Sequence, residues 1–169
     1  MRHYYLQFLL LLVYSTGQTQ TKAIENLEFL KPLIGNWEGH GFVTDSQGVK
    51  QVVNVIQQIT DSRNSIVVDG FFKNPISGFK ADFIKQFYYN NRFKGYRVKV
   101  YFEKKYFSKT KFKLLDNNTL TYSFRDPKNK LNRVTISTTN TNDWSEKLEQ
   151  LNGKVWELKR DLILKKTGM

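Results

Sequence analysis

Gly35-Asn36-Trp37-Glu38-Gly39-His40-Gly41 closes a short apolar segment and opens a long series of strand-like stretches. In an extended chain successive side chains point to opposite faces. Trp37, Gly39 and Gly41 therefore share one side, and Glu38 and His40 the other. Glycines this dense weaken a straight strand but suit one that bends sharply and meets a neighbouring element closely. The neighbour expected here is the helix just upstream, where Ile24, Leu27, Phe29, Leu30 and Leu33 line one face of residues 23–33. Pro32 and Gly35 are placed to end that helix.

Downstream the hydrophobic period changes to two. Strands are predicted near 36–44, 49–60, 64–73, 78–89, 93–103, 106–115, 119–125, 131–139, 142–150 and 154–165. The breaks carry turn chemistry: Asp45-Ser46-Gln47-Gly48, Asn74-Pro75, Asn90-Asn91, Asp116-Asn117-Asn118, Asp126-Pro127 and Asn152-Gly153. Ten strands with no helices between them predict an antiparallel up-and-down barrel. A two-sheet sandwich is the alternative.

Alternation also assigns faces. Tyr96, Val98, Val100 and Phe102 share one side of the fifth strand, and Leu120, Tyr122 and Phe124 one side of the seventh. Trp156, Leu158, Arg160, Leu162 and Leu164 fall together on the last. In the fourth, Phe79, Ala81, Phe83, Phe87 and Tyr89 form an apolar row that Lys85 interrupts. The interior is aromatic, and a ten-stranded barrel is wide enough to leave room for a ligand.

Residues 1–17 read as a secretory signal peptide: Arg2, an apolar core from Leu6 to Val13, then Ser15-Thr16-Gly17. The apolar run is shorter than the about 20 residues of a membrane span. Residues 18–169 form one domain, expected to be secreted or periplasmic, and the chain has no cysteine. That excludes thiol catalysis, cysteine-held metals and disulfide staples. With 27 Lys and Arg against 15 Asp and Glu, the net charge of +12 favours anionic partners. No nucleic-acid-binding motif accompanies it, and Lys109, Lys111 and Lys113 alternate as on a solvated sheet face.

Leu33 to Gly41 resembles the first strand of the calycin group, which includes lipocalins, fatty-acid-binding proteins and nitrobindin-like haem proteins. It is similar also to small secreted bacterial proteins with a ten-stranded lipocalin-like domain. Those end in a similar way to Trp144-Ser145-Glu146 and Asn152-Gly153-Lys154-Val155-Trp156. The resemblance implies an all-β, ten-stranded lipocalin-like barrel with a short N-terminal helix. It further implies that Trp37 lies across the closed end against an arginine of the last strand, here Arg160. Nitrobindin-like members bind haem through a late-chain histidine. This chain, once the leader is gone, has only His40, in the first strand and opposite Trp37. Haem is therefore not expected, nor a metal.

No catalytic residues are assigned, because one histidine and no cysteine leave nucleophilic and metal-histidine constellations without partners. Asp69, Asp82 and Asp161 alternate onto polar faces. The expected role is binding of a small apolar or amphipathic ligand, with the basic charge balance admitting an anionic one, by Trp37, Phe83, Phe87, Tyr122, Trp156 and Arg160. The alternative is an interaction protein whose filled barrel is scaffold and whose basic outer surface meets anionic partners. A hydrolase or isomerase with a pocket acid is the third reading.

Overall fold

The structure, a computed structural model, describes residues 27–140 and 142–168. The expected leader and the first turn of the expected helix lie outside these residues. What is described of that helix is a 3-10 turn, Glu28–Leu33, with Pro32 inside it rather than at its end. Pro32 supplies no N–H, and so short a turn does not need one there.

Ten antiparallel strands follow in chain order: β1 (Gly35–Thr44), β2 (Lys50–Ser62), β3 (Ser65–Lys73), β4 (Lys80–Asn90) and β5 (Gly95–Phe102), then β6 (Lys105–Asp116), β7 (Thr119–Arg125), β8 (Leu131–Asn140), β9 (Asp143–Asn152) and β10 (Val155–Thr167). Each pairs with its sequence neighbours, and β1 pairs with β10, so the sheet closes into a barrel. Closure leaves no edge strand to protect and rules out the sandwich.

Trp37 is fully buried and stands opposite Lys166 of β10 and Gln57 of β2. Its indole Nε1 donates to the Leu33 carbonyl at 2.8 Å, and its ring lies 5.9 Å from that of Trp144. Leu27, Leu30 and Leu33 are buried beside it, so the 3-10 turn and Trp37 together plug one end. Lys166 Nζ donates to the Pro32 carbonyl at 3.1 Å and ties β10 to the plug.

The glycines of β1 serve a different contact from the one expected. A Cβ on Gly39 would come within 2.0 Å of the Ile163 carbonyl oxygen, and one on Gly41 within 1.9 Å of that of Asp161. They let β1 lie tightly against β10 at the closing seam, not against the helix.

Inside, aromatic rings fill the half of the barrel next to the plug. Phe112 stacks on Tyr96 at 5.0 Å, meets Phe87 edge-on at 5.5 Å, and takes Phe29 of the 3-10 turn against it at 6.4 Å. Edge-on and offset stacking are the favoured aromatic geometries, and they add to the area these rings bury.

Candidate functional site

The other half of the barrel is not filled. A cavity of about 380 Å³ opens between the ends of β1, β3, β5, β7 and β9 and the beginnings of their partners. That lies near the lower bound of the roughly 300–1,000 Å³ typical of ligand pockets. Inward alternation positions its walls: Phe83 and Lys85 from β4, Tyr122 and Phe124 from β7, Asn132 and Val134 from β8. Phe72 of β3 stacks on Phe83 with ring centres 4.6 Å apart.

Arg160 reaches the cavity through an irregularity. The β9–β10 register shifts between Leu158 and Arg160, leaving Lys159 as an extra residue. A bulge of this kind exchanges inside for outside along the strand. Beyond it Arg160, Leu162 and Leu164 face inward; before it Trp156 and Leu158 face out.

Lys85, Glu146 and Arg160 form a charged cluster at the floor. Lys85 Nζ donates to Glu146 Oε2, and Arg160 Nη2 donates to Glu146 Oε1 at 2.5 Å. Lys85 and Glu146 are both almost wholly buried. Both cations also lie over aromatic faces, Lys85 at 4.9 Å from the Phe83 centroid and Arg160 at 5.4 Å from that of Phe72. These contacts offset part of the desolvation cost. Arg160 Nε has no hydrogen-bond partner among the described residues.

The electrostatics follow from burial and from two cations sharing one anion. Burial by itself would raise the Glu146 carboxyl, but Lys85 and Arg160 together outweigh it and hold the group below the ordinary carboxylate range. Burial lowers the Lys85 ammonium below its ordinary value; Arg160 adds to this, and the attraction of Glu146 only partly offsets it. Burial, reinforced by the charge of Glu146, pushes the Tyr122 hydroxyl well up, so it stays neutral. The cluster sets two basic side chains against one carboxylate beneath an aromatic cavity. Asp126 also lines the cavity, at its mouth, where it accepts hydrogen bonds from Lys128 N and Lys130 N, both at 2.9 Å, and from Gln150.

Of the six residues expected to bind a ligand, Phe83, Tyr122 and Arg160 line the cavity. Phe87 is inside but belongs to the packed aromatic layer, against Phe112 and Tyr122. Trp37 is in the plug. Trp156 is on the outer wall, where Arg133 covers its ring at 4.4 Å. The expected Trp37–Arg160 stack is not formed. Arg160 stands opposite Val43, six positions from Lys166 along β10, or about 20 Å at strand rise. Lys166 is the cation beside Trp37, 5.9 Å from its ring.

The residue that sequence reasoning missed is Glu146. It alternates with Trp144 and Leu148, and both neighbours face inward. The same parity that marked Lys85 as an intruder would have found it.

His40 is exposed on the outer face, as are Lys109, Lys111 and Lys113. On that wall Arg97 stands directly opposite Lys111, and Lys99 opposite Lys109. None of the four makes an ion pair among the described residues. Among the described residues there is no cluster of three or more His, Cys, Asp or Glu that would hold a metal, and no helix long and apolar enough to cross a membrane.

No family model and no curated protein matches the chain. Thirteen chains of solved structures match it by fold. One, described as the crystal structure of Rv2717c from M. tuberculosis, aligns with a TM-score of 0.53 over 84% of this chain and 97% of its own, at 10% identity. At that identity the likeness speaks for the barrel alone.

Proposed function

We propose that this protein is an exported carrier or sensor that takes a small amphipathic molecule, apolar with one anionic group, into the open half of its barrel. One observation carries the reading: Lys85 and Arg160 share the single carboxylate of Glu146 at the floor of an aromatic cavity. An incoming carboxylate, phosphate or sulfate would balance the second basic side chain and accept from Arg160. Its apolar part would lie among Phe72, Phe83, Phe102, Phe107 and Phe124. Export is the expectation set by the leader-like residues 1–17.

The test is competition against 8-anilinonaphthalene-1-sulfonate fluorescence with matched pairs of n-alkyl carboxylates and n-alkanols. The carboxylate should displace the probe about ten- to a hundredfold better than the alcohol, the value of a charged hydrogen bond. Arg160→Met should erase most of that difference. Equal displacement by acid and alcohol would remove the reading.

A second reading rests on the outer wall, where Arg97, Lys99, Lys109 and Lys111 face one another across β5 and β6. Like charges directly opposite destabilise a sheet, so their retention fits an anionic surface partner. Salt-dependent retention on a sulfated matrix, weakened by Lys99→Gln with Lys109→Gln, would support it. Unchanged retention in that variant would discard it.

A further inference from the structure

The two ends of the barrel differ in how many apolar side chains they expose. At the plugged end Phe93, between β4 and β5, and Leu115, at the end of β6, stand out most. At the open end four of the five hairpin turns around the cavity mouth raise apolar side chains into solvent: Val49 between β1 and β2, Ile76 and Phe79 between β3 and β4, Tyr106 just after the β5–β6 turn, and Val155 after the β9–β10 turn. Ile76 is 91% exposed, and Phe79 and Tyr106 are 59% exposed each. Large apolar side chains held this far out at loop tips mark a contact surface rather than a core.

The same rim is asymmetric in charge. Its carboxylates are all engaged by the loops themselves. Asp45 accepts from Gln47 N and Val49 N, both at 2.9 Å. Glu103 accepts from Asp82 N, Asp126 holds its own turn, and Glu157 pairs with Lys159. Lys80 pairs with Asp82 at 3.2 Å, but five other lysines of the rim are not so engaged. Lys104, Lys105, Lys128, Lys130 and Lys154 are exposed and make no ion pair among the described residues. At the β5–β6 tip, Glu103 and Lys104 both adopt left-handed backbone, at φ 50° and 60°. Such a turn is normally given to Asn-Gly, so the tip carries backbone strain to present Lys104 and Lys105 beside Tyr106.

We propose that the open rim docks on an anionic phospholipid bilayer, with the cavity mouth against the headgroups. The free lysines match the surface charge of such a membrane, and each contributes attraction that salt screens. The apolar tips decide between a bilayer and a soluble polyanion. They add nothing to binding a charged polymer in water, whereas a fluid interface admits each tip separately, without one contiguous patch. The proposal rests on the carrier reading for its purpose. An amphiphile dissolved in a bilayer keeps its charged end at the interface, nearest the mouth, so it would enter head first. That order delivers the anionic group to Lys85 and Arg160 at the floor.

The experiment is cosedimentation of the full chain with phosphatidylcholine vesicles and with phosphatidylcholine–phosphatidylglycerol vesicles at about two to one, across a salt series. Binding should require phosphatidylglycerol and weaken with salt. Ile76→Ser with Phe79→Ser, and separately Lys104→Gln with Lys105→Gln, should each weaken it about tenfold. Phe93→Ser at the plugged end should leave it unchanged, whereas Lys99→Gln with Lys109→Gln on the wall tests the competing anionic surface. Apart from the half-buried Lys99 these side chains are exposed, so a folded variant is expected in each case, and circular dichroism checks it. Rim variants that bind like the wild type overturn the proposal. So does a loss confined to the wall variant, or polyphosphate binding that the apolar substitutions leave intact while vesicle binding is unaffected. Arg160→Met separates the two ideas: if it keeps vesicle binding but also keeps full carboxylate preference, the cavity reading fails and the docking surface stands.

Discussion

Glu146 is the residue on which the interior charge depends. Replacing it by Gln would leave Lys85 and Arg160 facing each other with no anion, and breaking a buried pair in this way costs about 3–5 kcal/mol. Urea unfolding of Glu146→Gln should show that loss at neutral pH. The acid limb has a defined sign. The folded-state carboxyl lies below its ordinary value, so its contribution is complete above the unfolded value near about 4.3 and is lost as pH falls through the folded one. Lys85 works in the opposite sense: its folded value is lowered, so its penalty lifts as pH rises toward the unfolded value near about 10.4. The urea midpoint of the wild type should therefore drop below pH about 4, while that of Glu146→Gln should be flatter there. At the plug, Trp37→Ala should cost about 3–5 kcal/mol, the usual range for a buried tryptophan, and loses the bond to Leu33 as well. At this scale the sequence is readable only as parity. Alternation marked Lys85 and Arg160 as odd neighbours for apolar rows, but it could not say that Glu146 joins them. Partners across a barrel are fixed by register, which no single strand carries.

Among the elements, strand extents are the most legible feature because the turns are chemically explicit. Asp45 organises the β1–β2 turn by accepting two backbone N–H groups, and Asp126 does the same between β7 and β8. What alternation misreads is β10. The row Trp156, Leu158, Arg160, Leu162 and Leu164 looks continuous, yet the bulge at Lys159 turns its first two members outward. No residue there announces a bulge, since Lys159 is neither Gly nor Pro. β1 illustrates the converse, where three glycines signal a close approach without naming the partner. Gly39→Ala would place a methyl group into the Ile163 carbonyl and should cost about 1–3 kcal/mol or more by overpacking, measured by chemical denaturation. On the outer wall the sign reverses. Lys109→Gln removes a charge that opposes Lys99 and should raise stability by a few tenths of a kcal/mol at low salt, with the gain fading as salt is added.

For the whole molecule, composition and turn spacing already predict a ten-stranded barrel. They do not predict that one half is packed with Phe87, Tyr96 and Phe112 while the other holds a cavity. β4 and β6 each contribute aromatic residues to both halves, Phe83 and Phe107 to the cavity and Phe87 and Phe112 to the packed layer, so the division appears only when the strands are tilted and staggered into closure. Closure also has a history. Every strand pair but one is a hairpin between sequence neighbours, whereas β1 meets β10 from the opposite end of the chain. Hairpins form in microseconds, but a contact this distant must await the ordering of nearly everything between. The β1–β10 seam is thus the natural last step of folding, and until it closes the sheet has two raw edges open to other chains. Gly39 and Gly41, already seen as makers of a tight fit, are then also timekeepers: substitutions there should lengthen the life of the open sheet. Pulsed hydrogen exchange during refolding should find the amides of Gly39 and Leu164 protected after those of the β3–β4 hairpin, and aggregation during refolding should rise in Gly39→Ala.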